Sequence, residues 1–237
     1  MIVIDKKKIL MLILGMFCFS TLLFANINRV GETVLTSATP VSGRVVVLDA
    51  GHGKPDEGAE GANGTTEEKT NLDITLKVQK LLEESGATVI LTRSDENGIY
   101  NLDKTTLREM KVSDIQNRVK IGNESSADIL VSIHLNKGDS STYSGWQTFY
   151  RGDDENGKRL ATNIQEELKN VIQVENKRTA HEISGIYLVD NVEIPATIVE
   201  CGFLSNPQEE KKLLTDEYQN ELAWGIYLGI SDYFYER

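Results

Sequence analysis

The sequence predicts an α/β protein: a single domain with a mostly parallel or mixed twisted sheet and helices on both faces. Short apolar segments rich in valine, isoleucine and leucine recur along the chain, and segments with helical periodicity lie between them. The chain has 237 residues, of which 40% are hydrophobic and 26% charged. That composition is sufficient for one buried core with a solvated surface.

The first part of the domain alternates strand, helix and strand. Residues 44–49 (RVVVLD) form a β-branched apolar run of the length expected for a buried strand, and a glycine-rich loop follows. A helix is predicted over 67–84, with Gly86 just beyond its end. Its predicted inward-facing residues are Leu72, Leu76, Leu81 and Leu82. Residues 88–93 (TVILTR) form the second predicted buried strand.

The second part continues the alternation after a polar insertion over 94–112. Three further strands are predicted over 128–134, 146–150 and 196–203. The first and last of these are apolar, whereas the middle one alternates as a half-exposed strand does. The helices predicted between and after them cover 113–122, 155–172 and a final segment from Asp216. In that final segment apolar residues recur every four positions, at Leu222, Ile226, Ile230 and Phe234.

The amino terminus has the pattern of an export signal. Lys6, Lys7 and Lys8 precede an apolar stretch of seventeen uncharged residues. That length lies between a typical signal sequence and a full membrane span, so residues 1–25 are predicted to be a cleaved signal peptide or a membrane anchor. A buried core helix is the alternative. Residues 26–43 are predicted to be a linker, and residues 44–237 the folded domain.

Charge and cysteine content exclude several classes of function. The formal net charge is -11 at pH 7, although three lysines lie close to the amino terminus. Binding of DNA or RNA depends on lysine and arginine neutralising phosphates, so no nucleic-acid partner is expected. The two cysteines are Cys18 and Cys201. If residues 1–25 are removed, Cys201 is left alone and no internal disulfide can form.

Four side chains able to bind a metal or transfer protons are expected at one edge of the sheet. His52 and His134 stand where predicted strands end, Glu200 lies in an apolar strand, and Glu67 opens a helix. Sites in α/β sheets form outside the carboxyl ends of the strands. Two imidazoles and a carboxylate suit catalytic zinc, and a second carboxylate can accept a proton from its water. The alternative is that both histidines are ordinary polar residues at strand ends.

Four motifs in a fixed order carry a resemblance to a known family. They are LDAGHG (48–53), Glu67 followed by Asn71 and Leu72, SIHLN (132–136) and IVECGFLSN (198–206). With them the chain, over about residues 44–235, resembles the zinc-dependent N-acetylmuramoyl-L-alanine amidases of the Amidase_3 type. Within that family it is most similar to the CwlD branch of spore-cortex amidases, a similarity to which GIYL (185–188) contributes.

The resemblance implies roles for the four side chains. His52, Glu67 and His134 would bind zinc (Zn2+), and Glu200 would be the catalytic acid and base. The implied reaction is hydrolysis of the amide bond between N-acetylmuramic acid and L-alanine in peptidoglycan, which in the spore cortex leads to muramic-δ-lactam and bears on germination. Many relatives have Glu-Lys at the second ligand, whereas Glu67 is followed here by Glu68, so Glu68 remains an alternative ligand.

Two other functions stay open on the sequence alone. One is a different zinc-dependent peptidoglycan peptidase, and the other is a non-catalytic cell-wall-binding module, which would not need an open zinc site. Peptidoglycan is the expected substrate, and residues 1–25 are the expected contact with a membrane. An exported accessory protein is left open as a partner. The expected location is extracytoplasmic, in the cell wall or the forespore intermembrane space, with membrane anchoring as one form.

Several other residues have competing interpretations. Cys201 is predicted to point away from Glu200 on a regular strand and to be an inert buried thiol rather than a nucleophile. Arg93 and Arg118 are predicted to make ordinary surface ion pairs rather than to contact substrate carboxylates. His181 is predicted to lie in a solvated loop, with substrate contact at the edge of the cleft as the alternative.

Overall fold

The fold consists of alternating strands and helices, as the sequence predicts. The structure is a computed structural model that describes residue 16 and residues 39–235. Its strands are β1 (Val45–Ala50), β2 (Thr88–Leu91), β3 (Ile129–Asn136), β4 (Gln147–Arg151), β5 (His181–Ile183) and β6 (Ala196–Phe203). Its helices are α1 (Glu67–Glu84), α2 (Leu107–Glu124), α3 (Glu155–Ile172), α4 (Tyr187–Asn191), α5 (Pro207–Leu213) and α6 (Asp216–Tyr235).

The six strands form one mixed sheet in the order β2-β1-β3-β6-β4-β5. β2, β1, β3 and β6 run parallel to one another. β4 is antiparallel to β6, and β5 is parallel to β4. The predicted α/β class with a mostly parallel or mixed sheet is therefore confirmed. The parallel arrangement brings the carboxyl ends of β1, β3 and β6 to the same edge.

Helices cover both faces of this sheet. α1, α3 and α6 bury the larger apolar cluster against one face. α2 and α4 cover the smaller cluster on the other face. The prediction that Leu76 faces inward is wrong, because its side chain is 38% exposed. Ile74 and Val78 form the buried stripe of α1, and Leu76 lies about 200° around the helix from Ile74.

The predicted polar insertion is shorter than expected, because α2 begins at Leu107 rather than at Ser113. Thr106 caps this helix, and its side chain and that of Glu109 form a capping box. Hydrophobic periodicity does not reveal the first turns, because no residue of α2 before Ser113 is buried. The short elements β5, α4 and α5 are also absent from the sequence-based prediction, because segments of three to seven residues carry too little periodicity.

The predictions for residues 1–25 and for most of the linker lie outside the described residues. Residues 39–43, the described part of the predicted linker, pack against the domain, and Val41 is fully buried in the larger apolar cluster. Within residues 39–235, no helix is both long enough and apolar enough to cross a membrane.

Candidate metal centre and adjacent carboxylate

The four predicted site residues meet at the carboxyl edge of the parallel strands. His52 lies two residues beyond β1, and His134 lies near the end of β3. Glu200 on β6 is paired in register with His134, so the two side chains share one face of the sheet. Glu67 is the first residue of α1. The topology therefore joins residues that are far apart in the sequence.

His52, Glu67 and His134 form a compact cluster. One nitrogen of each histidine and a Glu67 oxygen all lie within 4.8 Å of one another. Glu67 Oε1 is 2.9 Å from His134 Nδ1 and 3.3 Å from His52 Nε2. The imidazole rings are 5.1 Å apart and nearly perpendicular, with an interplanar angle of 77°. Among the described residues, these three are the group able to hold a metal ion.

Glu67, rather than the alternative Glu68, is the carboxylate between the two imidazoles. Its Oε2 accepts a hydrogen bond from Ala59 N–H (2.8 Å), and its Oε1 accepts from Leu135 N–H (3.2 Å) and Asn71 Nδ2 (3.3 Å). Burial raises the pKa of Glu67, but the hydrogen bonds with both histidines and their charges lower it well below its usual range. The carboxylate is therefore held ionised and in one orientation.

Two glycines make room for this cluster. A Cβ atom on Gly51 would lie 2.2 Å from the His134 ring, so a larger residue would displace the imidazole. Gly58 has a φ of +69°, and a Cβ there would lie 2.6 Å from Glu67 Oε2. The glycine-rich loop after β1 thus allows the backbone to approach the side chains of this cluster closely.

A second carboxylate orients His52. Asp56 Oδ2 lies 3.0 Å from His52 Nδ1, and Asp56 Oδ1 pairs with Lys111 Nζ at 2.7 Å. Burial lowers the pKa of His52, but hydrogen bonds with Asp56 and Glu67 outweigh it and raise the pKa to about 9. The contact occupies Nδ1, so Nε2 faces Glu67. A carboxylate behind a histidine is a common way to fix a metal ligand.

Arg93 and Arg118 are buried, so the prediction of ordinary surface ion pairs is wrong. Arg118 donates from Nη1 to the carbonyl oxygen of Ala50 (2.7 Å) and from Nη2 to that of His52. Arg93 donates from Nε to the carbonyl oxygen of Ala50 (2.8 Å) and from Nη2 to that of Gly51 (2.9 Å). The two guanidinium groups therefore hold three consecutive carbonyl groups at the loop that carries His52.

Asp49, at the carboxyl end of β1, balances the charge of Arg118. Its Oδ1 accepts from Arg118 Nη1 at 2.6 Å and from Thr92 Oγ1 at 2.7 Å, and its Oδ2 accepts from Ser132 Oγ at 2.5 Å. Burial raises the pKa of Asp49, but the charge of Arg118 and these hydrogen bonds outweigh it and lower the pKa to about 2. The buried pair of Asp49 and Arg118 therefore connects β1 to the loop that carries His52.

The other side of the loop is anchored by Glu210 on α5, a helix that the sequence pattern does not predict. The Glu210 carboxylate is fully buried and accepts from Asn63 N–H (3.0 Å), Asn63 Nδ2 (2.8 Å) and Thr65 N–H (3.4 Å). A Cβ atom on Gly61 would lie 2.2 Å from the same carboxylate. These contacts fix the chain just before Glu67 to the segment that follows β6.

Glu200 lies beside the cluster but is not part of it. Its Oε2 is buried and has no hydrogen-bond partner among the described residues. Burial raises the pKa of Glu200 to about 7; the negative charge of Glu67 adds to this rise, and the charges of His134 and His52 oppose it. A carboxylate with this pKa can accept and return a proton near neutral pH.

Cys201 and His181 lie outside the cluster of metal-ligand candidates. Cys201 is fully buried in the larger apolar cluster, on the face opposite Glu200, and burial raises the pKa of its thiol. A protonated buried thiol is a poor nucleophile, so the interpretation of an inert residue holds. His181 begins the edge strand β5 instead of lying in a loop, and its side chain is exposed. Its ring is 6.4 Å from that of Phe149.

Comparison with known proteins assigns this arrangement to a family. Residues 46–232 match the family model described as N-acetylmuramoyl-L-alanine amidase. The chain belongs to this family. The match includes all six strands, except for the first residue of β1, and all four predicted site residues. The interpretation of the chain as an amidase, and hence an enzyme, is confirmed.

Individual relatives agree with this assignment. The germination-specific N-acetylmuramoyl-L-alanine amidase of Bacillus subtilis is 39% identical over 198 residues, which cover 84% of this chain and 83% of the relative. One similar structure is that of the CwlD amidase from Clostridioides difficile in complex with the GerS lipoprotein, with a TM-score of 0.80. The sequence identity is 43%, and the match covers 82% of this chain and all of the CwlD chain. A second amidase structure from Clostridium difficile has 30% identity, a TM-score of 0.72 and coverage of 83% and 99%.

Proposed function

We propose that this amidase uses zinc, held by His52, Glu67 and His134, to cleave the bond between N-acetylmuramic acid and L-alanine in peptidoglycan, with Glu200 as acid and base. The observation that carries the proposal is the meeting of these three donors with a buried, unpartnered carboxylate beside them. His52 lies in the loop after β1, Glu67 on α1 and His134 on β3, so the arrangement depends on the whole fold.

The chemistry of the donor set fits zinc. Two imidazole nitrogens and one carboxylate oxygen are the usual protein ligands of a catalytic zinc, with the fourth position left open. Ligand atoms bound at about 2.0–2.1 Å in a tetrahedron are separated by about 3.3–3.4 Å. The distances of 2.9 Å and 3.3 Å from Glu67 Oε1 to the two histidines are close to that spacing. Asp56 behind His52 supplies the outer support that such ligands commonly have.

The protein groups have distinct tasks in the reaction. When bound, zinc supplies polarisation of the amide carbonyl and acidification of a water molecule. Glu200 accepts a proton from the attacking water on its carboxylate, and the water oxygen then bonds to the carbonyl carbon. The same carboxylate returns the proton to the alanine nitrogen as the carbon–nitrogen bond breaks. Burial raises the pKa of Glu200 above that of an exposed carboxylate, which suits both transfers.

Digestion of purified peptidoglycan tests the bond that is cleaved. We expect the zinc-loaded full chain to release stem peptides with a free amino-terminal alanine and to leave muramic acid without peptide. A chelator should stop the release, and added zinc should restore it. Mass spectrometry of the muropeptides measures both products. Shortened stems still attached to muramic acid would indicate instead that the zinc site cuts within the stem, and this result would contradict the proposed bond.

The cellular role that we propose is extracytoplasmic, in spore-cortex peptidoglycan. The similarity to a germination-specific amidase supports this role, and so does the export-signal pattern of residues 1–25. We also propose an exported accessory protein as a partner, because a relative at 43% identity is described in complex with a lipoprotein. Residues 1–25 would keep the enzyme at the membrane if they are not cleaved.

Deletion of the gene from a spore-forming host tests the cortex role. We expect spores whose cortex muramic acid keeps its peptide and contains little muramic-δ-lactam, because the peptide must be removed before the lactam can form. A copy that carries His134→Ala should behave like the deletion. The muropeptide profile of purified spores is the measurement. An unchanged lactam fraction would contradict the cortex role and leave a general cell-wall amidase.

A further inference from the structure

A strip of side chains extends from Glu200 across the antiparallel part of the sheet. Gln147, the first residue of β4, is paired in register with Glu200, so both side chains lie on one face with Cβ atoms about 4.5–5.5 Å apart. Gln147 Nε2 donates to the carbonyl oxygen of Thr179 at 3.3 Å, while its Oε1 has no hydrogen bond to the described residues. Gln147 is thus a polar group next to the proposed acid and base.

The same face continues to the edge of the sheet. Phe149 on β4 is paired with Ile198 on one side and with His181 on the other. The rings of Phe149 and His181 are nearly perpendicular, at 85°, and His181 is exposed. Along this face an amide, an aromatic ring and an imidazole therefore follow one another away from Glu200.

A positive charge lies on the segment that leads into β5, at Arg178, one residue before the Thr179 that accepts the hydrogen bond of Gln147. The Arg178 guanidinium stacks over the Phe203 ring at 4.9 Å, and its Nη1 donates to the carbonyl oxygen of Ser144 at 2.5 Å. The Nε and Nη2 groups of Arg178 have no hydrogen bond to the described residues. Glu209 is a nearby carboxylate, but it already accepts from two backbone N–H groups, those of Gly145 (2.6 Å) and Phe203 (2.9 Å).

The order of residues along the edge indicates which part of the substrate lies over this strip. His134, Glu200 and Gln147 occupy successive positions on β3, β6 and β4. This step rests on the proposed function, in which Glu200 gives its proton to the alanine nitrogen. That nitrogen must then lie at Glu200, while the carbonyl group lies towards the histidines. The peptide attached to the nitrogen therefore continues towards Gln147, and the glycan lies on the opposite side.

We propose that Gln147, His181 and Arg178 form the subsite for the stem peptide. Gln147 Oε1 accepts from a peptide N–H close to the cleaved bond, and Arg178 pairs with a peptide carboxylate. The charge favours this ligand, because stem peptides carry carboxylates whereas the N-acetylated glycan is neutral. In a chain with a net charge of -11, a guanidinium beside the site selects for an anionic group.

A binding experiment with two probes tests the subsite. The protein is the zinc-loaded full chain with Glu200→Gln, so that the probes are not consumed. The probes are N-acetylmuramoyl-L-alanyl-glutamate, whose peptide has two carboxylates, and its diamide, which has none. We expect the acid to bind about threefold to tenfold more tightly than the diamide by calorimetry, as for a partly exposed ion pair. Arg178→Gln should remove this preference, and Arg178→Lys should keep most of it.

His181 and Glu182 lie on opposite faces of β5, so variants of these two residues form a matched pair. His181→Ala and Gln147→Ala should weaken binding of both probes, whereas Glu182→Ala should not, because Glu182 is exposed and points to the opposite face. A preference for the acid that survives Arg178→Gln would overturn the proposal, as would equal losses in the variants of His181 and Glu182. Failure of the chain with Glu200 intact to hydrolyse either probe, while the binding preference holds, would count against the proposed amidase mechanism alone.

Discussion

The full chain should bind about one zinc ion, and His52→Ala or His134→Ala should lose tight binding. Structural zinc sites with four ligands contribute about 10–16 kcal/mol of apparent binding free energy. If each ligand contributes roughly a quarter of this free energy, removal of one histidine weakens zinc binding by about a hundredfold to a thousandfold. Elemental analysis gives the stoichiometry, and competition with a chromogenic chelator gives the affinity. Stoichiometric zinc in both variants after dialysis would show that the ligand assignment is wrong.

Neighbouring carboxylates make this measurement specific. Glu67→Gln should weaken zinc binding, whereas Glu68→Gln should not, since only Glu67 lies within reach of both imidazoles. Asp56→Asn should have an intermediate effect, about tenfold to a hundredfold, because Asp56 contacts His52 and not the metal position. The opposite ranking of Glu67 and Glu68 would move the second ligand to Glu68.

The sequence was sufficient to predict the class of fold and the edge of the sheet at which the four candidate side chains meet. Short segments rich in valine and isoleucine, such as those of β1 and β6, are typical of buried strands. Once parallel strands are predicted, residues at their carboxyl ends must meet at one edge. His134 and Glu200 are 66 residues apart in the sequence, but the register pairs them directly. Their proximity follows from topology rather than from spacing.

The support of the site could not be predicted in the same way. Arg118 contacts the loop of His52 from 66 residues away, and no local pattern marks an arginine as buried. It is buried because Asp49 and Asp114 pair with it and the carbonyl groups of Ala50 and His52 accept its remaining hydrogen bonds. Asp56 is a different case, because its position four residues after His52 could have suggested the contact. The proximity of Gln147 to Glu200 depends on the antiparallel register of β4, and hydrophobic periodicity does not reveal that register.

Glu200→Gln should separate metal binding from catalysis. Glutamine has nearly the same shape but cannot accept a proton from water, so we expect the rate of peptide release to fall by about 10²–10⁴-fold. Zinc content should be unchanged, because Glu200 lies outside the group of three donors. Release of stem peptide from peptidoglycan and elemental analysis of the same sample measure the two effects. Full turnover by this variant would exclude Glu200 as acid and base.

The pH dependence and a neighbouring variant complete the test. Glu200 must be ionised to accept a proton, so activity should rise with pH as it deprotonates. Burial raises its pKa from 4.5 to about 7, and a bound cation would lower it, so the acid limb of kcat/KM should fall between these values. The residual activity of Glu200→Gln should lack this limb. Cys201→Ala, on the opposite face of β6, should keep both the limb and the turnover, because its buried thiol takes no part in the reaction.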